Sequence, residues 1–137
     1  MSRLVLDASV TLCWLFEDQA NAYTDSILDR VGKGEEALTS VIWPFEVANA
    51  LVVAERRKLI KPAHSAAFLE QLSQLPIRIE RIGIERAFSG VVETARAHRL
   101  SAYDASYLDL AMREGLPLAT LDRSLRTAAR ASGVALA

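Results

Sequence analysis

Apolar positions along this chain follow two alternating rhythms. Short apolar runs bounded by turn residues read as strands, and stretches with apolar residues three and four apart read as helices. The first strand is expected at about 3–7, Arg3-Leu4-Val5-Leu6-Asp7. A helix follows over about 9–16, and another over about 20–32, closed by Gly32-Lys33-Gly34. A strand at about 37–39 leads into a helix over about 43–58, with Pro44 in its first turn and Arg56-Arg57-Lys58 at its end. Both ends suit the helix, since proline fits a first turn and cations fit the negative end of the dipole. Pro62 opens a helix to about 75, and Ile77-Arg78-Ile79-Glu80 alternates like a strand. Helices are expected at about 84–98 and 102–114, the latter stopped by Gly115. The chain closes with a strand at Leu118-Ala119-Thr120, a helix at 123–131 and an edge strand at Val134-Ala135-Leu136. Strands alternating with helices predict an α/β fold, with a central parallel sheet of four to five strands flanked by helices.

Four acids break this pattern. Asp7 ends the first apolar strand. Glu46 lies inside Trp43-Pro44-Phe45-Glu46-Val47-Ala48. Asp104 shares a helix face with Leu108 and Ala111, and Asp122 follows Pro117-Leu118-Ala119-Thr120-Leu121. Carboxylates avoid apolar surroundings unless a partner or a metal offsets their desolvation. No Lys or Arg adjoins Asp7, Glu46 or Asp104, so a shared cation is the simplest partner.

Each acid also has a plain reading. Asp7 and Asp122 both precede helices, where Asp is a favoured N-cap. Glu46 suits the positive end of its helix dipole. Asp104 is harder to explain so, because Ser101 is the natural cap. Ser9 and Thr120 stand two residues from Asp7 and Asp122. Either hydroxyl fits a water or phosphate oxygen at the site, or a local cap, with capping favoured for Ser9 and neither role for Thr120. Asn49 fits as an orienting partner for Glu46 or as an interhelical hydrogen bonder. Asp109 precedes Arg113 by four and reads as an exposed helical pair. His64 and His98 read as surface residues.

Composition narrows the classes. At 137 residues the length suits one domain, residues 1–137, and 51% hydrophobic residues can fill one core. No stretch reaches the roughly 20 apolar residues of a membrane span. The N-terminus lacks a basic segment followed by a long apolar one, and the single Cys13 makes no internal disulfide, so a cytoplasmic protein is expected. Net charge is −1, but setting the four acids aside leaves 16 basic against 13 acidic residues, a balance of +3 that permits an RNA-binding surface. There is no Cys-x-x-Cys, His-Glu-x-x-His or glycine-rich phosphate loop.

Oxygen-only ligands suit Mg²⁺ or Mn²⁺. Such ions bind phosphate oxygens and activate water, so the natural reaction is phosphodiester hydrolysis, with no histidine base required.

Four motifs carry a family resemblance: Asp7-Ala8-Ser9-Val10, Pro44-Phe45-Glu46-Val47-Ala48-Asn49-Ala50-Leu51, Tyr103-Asp104-Ala105-Ser106-Tyr107-Leu108-Asp109-Leu110-Ala111 and Ala119-Thr120-Leu121-Asp122-Arg123-Ser124-Leu125. In order and spacing they resemble the PIN-domain ribonucleases, most of all the VapC toxins of bacterial toxin–antitoxin pairs. The resemblance implies a single PIN-like domain and a metal-dependent endoribonuclease with Asp7, Glu46, Asp104 and Asp122 as its acidic site. It further implies a homodimer and a cognate VapB-like antitoxin, and Thr120 matches a hydroxyl residue that often supports the fourth acid. On this reading Asp7 and Asp104 are first choices as metal ligands, Glu46 ligates directly or through water, and Asp122 completes the shell or holds a second ion.

Arg56, Arg57, Lys58, Arg81, Arg86, Arg96 and Arg99 are candidate phosphate contacts, against the plain reading of a solvated face. Trp14, Phe16, Trp43 and Phe45 read as core, with some available to line a groove for an amphipathic antitoxin helix. A haloacid dehalogenase-type phosphatase needs a second Asp where Ser9 stands, and a response-regulator receiver needs a late lysine, absent here beyond Lys61. The remaining rival is a non-catalytic PIN-like binding module whose acids only cap helices.

Overall fold

The computed structural model describes residues 2–137. Strands β1 (Arg3–Leu6), β2 (Glu36–Thr39), β3 (Ile77–Ile79) and β4 (Leu118–Ala119) form one sheet in the order β3-β2-β1-β4. All pairings are parallel, with Arg3 beside Glu36, Val5 beside Leu118 and Ala37 beside Ile77. Parallel neighbours need crossover connections, and helices supply them. Helices α1 (Ala8–Cys13) and α2 (Ala22–Gly32) join β1 to β2, and α3 (Trp43–Arg56) and α4 (Pro62–Ser73) join β2 to β3. A longer helical stretch joins β3 to β4. It consists of α5 (Ile84–Arg86), a π-helical turn (Ala87–Val91), α6 (Val92–His98) and, after a left-handed Arg99, α7 (Ala102–Glu114). Helix α8 (Arg123–Ala131) follows β4.

The expected fifth strand is reduced to one parallel bridge between Leu136 and Leu118. β4 is only two residues long and preceded by Pro117, which has no N–H to extend the ladder. The helix expected over 9–16 stops at Cys13, and a 3₁₀ turn (Glu17–Gln19) follows. Asn21 then caps α2. Its side chain accepts the Thr24 N–H at 2.9 Å, while the Thr24 hydroxyl accepts the Asn21 N–H at 3.1 Å.

The sheet's two faces have separate cores, as period-two alternation requires. Val5, Leu38 and Leu118 pack with Trp43, Val47, Phe68, Tyr107 and Leu108. Leu4, Leu6, Ala37 and Ala119 pack with Ile27 and Val31 of α2. Asp7 continues the Val5 parity and so lies on the α3 and α7 side. Helix α7 runs through the interior, with every residue from Ala105 to Ala111 buried.

That placement corrects the reading of Asp109. It is only 1% exposed, and both Arg113 (2.9 Å) and Arg86 pair with its carboxylate. Arg113 also pairs with the buried Glu80. Arg86 is therefore committed to a buried carboxylate and is not part of a free phosphate-binding face. It folds back over Gly90, where an added Cβ would collide with the guanidinium group.

Candidate active site

The strand order turns at β1, with β2 on one side and β4 on the other. A crevice opens beyond the carboxyl ends of the strands at such a point. Here it is a cavity of about 330 Å³ lined by Asp7, Ala8, Ser9, Leu12, Glu46, Asn49, Ala50, Asp104 and Asp122. All four acids singled out from the sequence line this cavity, and no basic side chain does. None of the four makes an ion pair among the described residues.

Asp7 follows β1 and is buried, yet its side chain makes no capping bond to α1. Its Oδ2 instead accepts the Thr120 hydroxyl at 2.6 Å and the Ser9 hydroxyl at 2.7 Å. Both side-chain donors converge on one oxygen, so Oδ1 takes no side-chain donor. Ser9 also accepts the Leu121 N–H at 2.9 Å, and Thr120 accepts the Asp122 N–H at 3.0 Å. These two hydroxyls thus stitch the end of β1 to the end of β4. This cradle replaces the capping role favoured for Ser9, and it gives Thr120, for which neither alternative is favoured, its place.

Asp122 does cap α8, with Oδ1 accepting the Leu125 N–H at 2.8 Å, and it also lines the cavity. Glu46, in the first turn of α3, accepts the Tyr107 hydroxyl on Oε1 at 2.5 Å. Its partner is therefore Tyr107 rather than Asn49, which lines the cavity. Asp104 sits in the first turn of α7 after Ser101, whose hydroxyl accepts the Asp104 N–H at 3.1 Å. Tyr107 is the residue whose contact the sequence did not disclose. Its place three after Asp104, on the same helix face, is the available signal.

Electrostatics tie the acids together. Burial raises the Asp7 pKa above the ordinary carboxylate value, Thr120 and Ser9 oppose the rise, and the charge of Asp122 adds to it. Burial raises Glu46, against the Tyr107 hydrogen bond, and Asp7 and Asp104 push it further. Burial also raises Asp104, reinforced by Asp122 and Asp7. Desolvated, mutually repelling carboxylates are what a bound cation relieves. The donor set is all oxygen, which fits a hard divalent ion. The side chains border one cavity without being drawn onto one point, and no ready cluster of three or more ligands exists among the described residues.

The surrounding aromatic residues divide. Trp14 and Phe16 line one groove with Leu59, Ile60 and Phe68. Trp43 is buried and lines a second, apolar groove with Val47, Leu51 and Leu69. Phe45, expected in the core, is 71% exposed because it shares α3's outer face with Ala48 and Asn49.

The sequence matches the PIN domain over residues 4–131. The chain belongs to the PIN-domain family. Ribonuclease VapC3 of Pyrobaculum aerophilum is 28% identical over 123 residues, spanning 90% of this chain and 92% of that protein. In fold, this PIN domain is similar to VapBC2 from Rickettsia felis, solved bound to a DNA fragment from its promoter, with a TM-score of 0.70 and 12% identity. That match covers 98% of this chain and 96% of the other. VapC20 of Mycobacterium tuberculosis, described as a sarcin-ricin loop cleaving toxin, has a TM-score of 0.62 and 14% identity, covering 91% of this chain and 94% of that one. No helix of this PIN domain is long and apolar enough to cross a membrane, among the described residues.

Proposed function

We propose that this PIN domain is a metal-dependent endoribonuclease and the toxin of a type II toxin–antitoxin pair. The observation that carries the reading is the cavity bordered by four carboxylates from four elements, without a basic side chain. The similarity to a protein named as a ribonuclease, and in fold to a VapBC protein and to a toxin that cleaves the sarcin-ricin loop, supports it.

Asp7, Glu46, Asp104 and Asp122 would hold Mg²⁺ or Mn²⁺, with Asp7 and Asp104 as direct ligands. Such an ion, when bound, would offset phosphate charge and supply an activated water at neutral pH. The chain's own residues prepare the site. The Thr120 and Ser9 hydroxyls both hold Asp7 by the same oxygen, Oδ2. The Leu125 N–H fixes Asp122 by its Oδ1. Leu12 and Ala50 give the cavity apolar walls beside the carboxylates. RNA is the substrate, a VapB-like antitoxin the inhibitor, and a homodimer the working form. The cytoplasm, where cellular RNA and an antitoxin meet, is the place of action.

Incubating total cellular RNA with the purified chain tests the reading. We expect discrete fragments with Mg²⁺ or Mn²⁺, none with EDTA, and none from Asp104→Asn purified in parallel. Undiminished cutting by Asp104→Asn, or cutting in EDTA, would overturn it.

A further inference from the structure

We infer that Tyr107 is a positioning residue that holds the Glu46 carboxylate for cation binding, a role that rests on the metal-nuclease reading. Tyr107 is fully buried on α7, and its ring packs in the core beside Val47 and Leu108. The ring therefore cannot swing, and its hydroxyl is fixed where it meets Glu46 Oε1 at 2.5 Å. The Glu46 carboxylate takes no hydrogen bond other than that of Tyr107 among the described residues, and a free glutamate side chain has several rotamers to lose on ordering. The Tyr107 bond removes that freedom in advance and leaves Oε2 as the oxygen available to the cavity.

The spacing of donor and acceptor is itself held. Ser106, the neighbour of Tyr107, shares a buried hydrogen bond of 2.6 Å with Ser40, just before α3. Ser40 in turn accepts the Ile42 N–H at 3.2 Å at the entry to α3. Helices α3 and α7 are thus tied by adjacent contacts, so the Tyr107–Glu46 geometry follows from the backbone positions of both. An outer partner that orients a ligand in this way typically changes metal affinity 10- to 100-fold when removed. The competing account is that Glu46 merely satisfies a buried tyrosine hydroxyl.

A double-mutant cycle on the full-length chain separates the two. Mn²⁺ is titrated into wild type, Tyr107→Phe, Glu46→Gln and the double variant, with half-saturation read from the thermal shift. Phenylalanine keeps the ring and its packing, and a cooperative metal-free melt checks that each variant folds. The expected result is a rise of about tenfold in half-saturating Mn²⁺ for Tyr107→Phe, and no further rise when Glu46 is already Gln. An equal rise in both backgrounds, or unchanged affinity in Tyr107→Phe, would overturn the positioning role while leaving the nuclease reading intact. A wild-type chain with no Mn²⁺ response would overturn both.

Discussion

At the scale of single residues, the site is built from hydroxyls placed at strand ends. Thr120 serves two clients at once, donating to Asp7 and accepting the Asp122 N–H. Thr120→Val keeps the shape and removes both bonds. We predict a loss of roughly 1–3 kcal/mol in stability, measurable by urea unfolding. The carboxylates predict a pH effect of opposite sense. Folding raises the pKa of Asp7, Glu46 and Asp104, chiefly by burial. A carboxyl with a raised folded-state pKa favours the folded state below its unfolded value and loses that contribution as pH rises through the folded value. Neutral pH is therefore the costly side for the metal-free protein. Asp104→Asn should be more stable than wild type in EDTA at pH 7, by of order 1 kcal/mol, with the gain vanishing only well below the unfolded value of 3.8, at about pH 3. Chemical denaturation at the two pH values checks this; an equal gain at both would show that carboxylate charge is not the cause. The four acids were legible in the sequence because charge inside an apolar run is conspicuous. Their partners were not, because the Thr120–Asp7 and Tyr107–Glu46 contacts join residues far apart in the chain.

At the scale of elements, strands and helices fell close to their sequence patterns, and the departures have local causes. The helix expected over 84–98 contains the π-helical turn Ala87–Val91, which no periodicity announces. Gly90 lies in this turn and leaves room for Arg86 to lie across it toward Asp109. Asp109 read as exposed because an i,i+4 Asp–Arg pair usually is, whereas α7 is enclosed on all sides through its middle. These contacts predict a change of sign. Gly90→Ala should destabilise the wild type by about 1–2 kcal/mol as it displaces Arg86 from a buried partner. In an Arg86→Ala background the same change should stabilise by about 0.5–1 kcal/mol through helix propensity. Thermal melts of the four proteins check it, and a destabilising effect in both backgrounds would remove Arg86 from the explanation.

At the scale of the whole molecule, parallel topology does what local sequence cannot show. Alternation of strand and helix predicted a parallel sheet, but not the order β3-β2-β1-β4. That order sets the ends of β1 and β4 side by side, so Asp7 and Asp122 border one cavity. Helices α3 and α7 add Glu46 and Asp104 from their first turns. On the proposed metal-nuclease reading a divalent cation would bind the folded state alone, so Mn²⁺ at 100 times its dissociation constant should stabilise the protein by about 2.7 kcal/mol. The most direct test of that claim is anomalous diffraction from a crystal of this chain soaked in Mn²⁺. The account predicts a peak in the cavity bounded by Asp7, Glu46, Asp104 and Asp122, with ligand oxygens at about 2.0–2.2 Å. A saturating soak that leaves this cavity without a peak, or that puts the ion elsewhere, would contradict it.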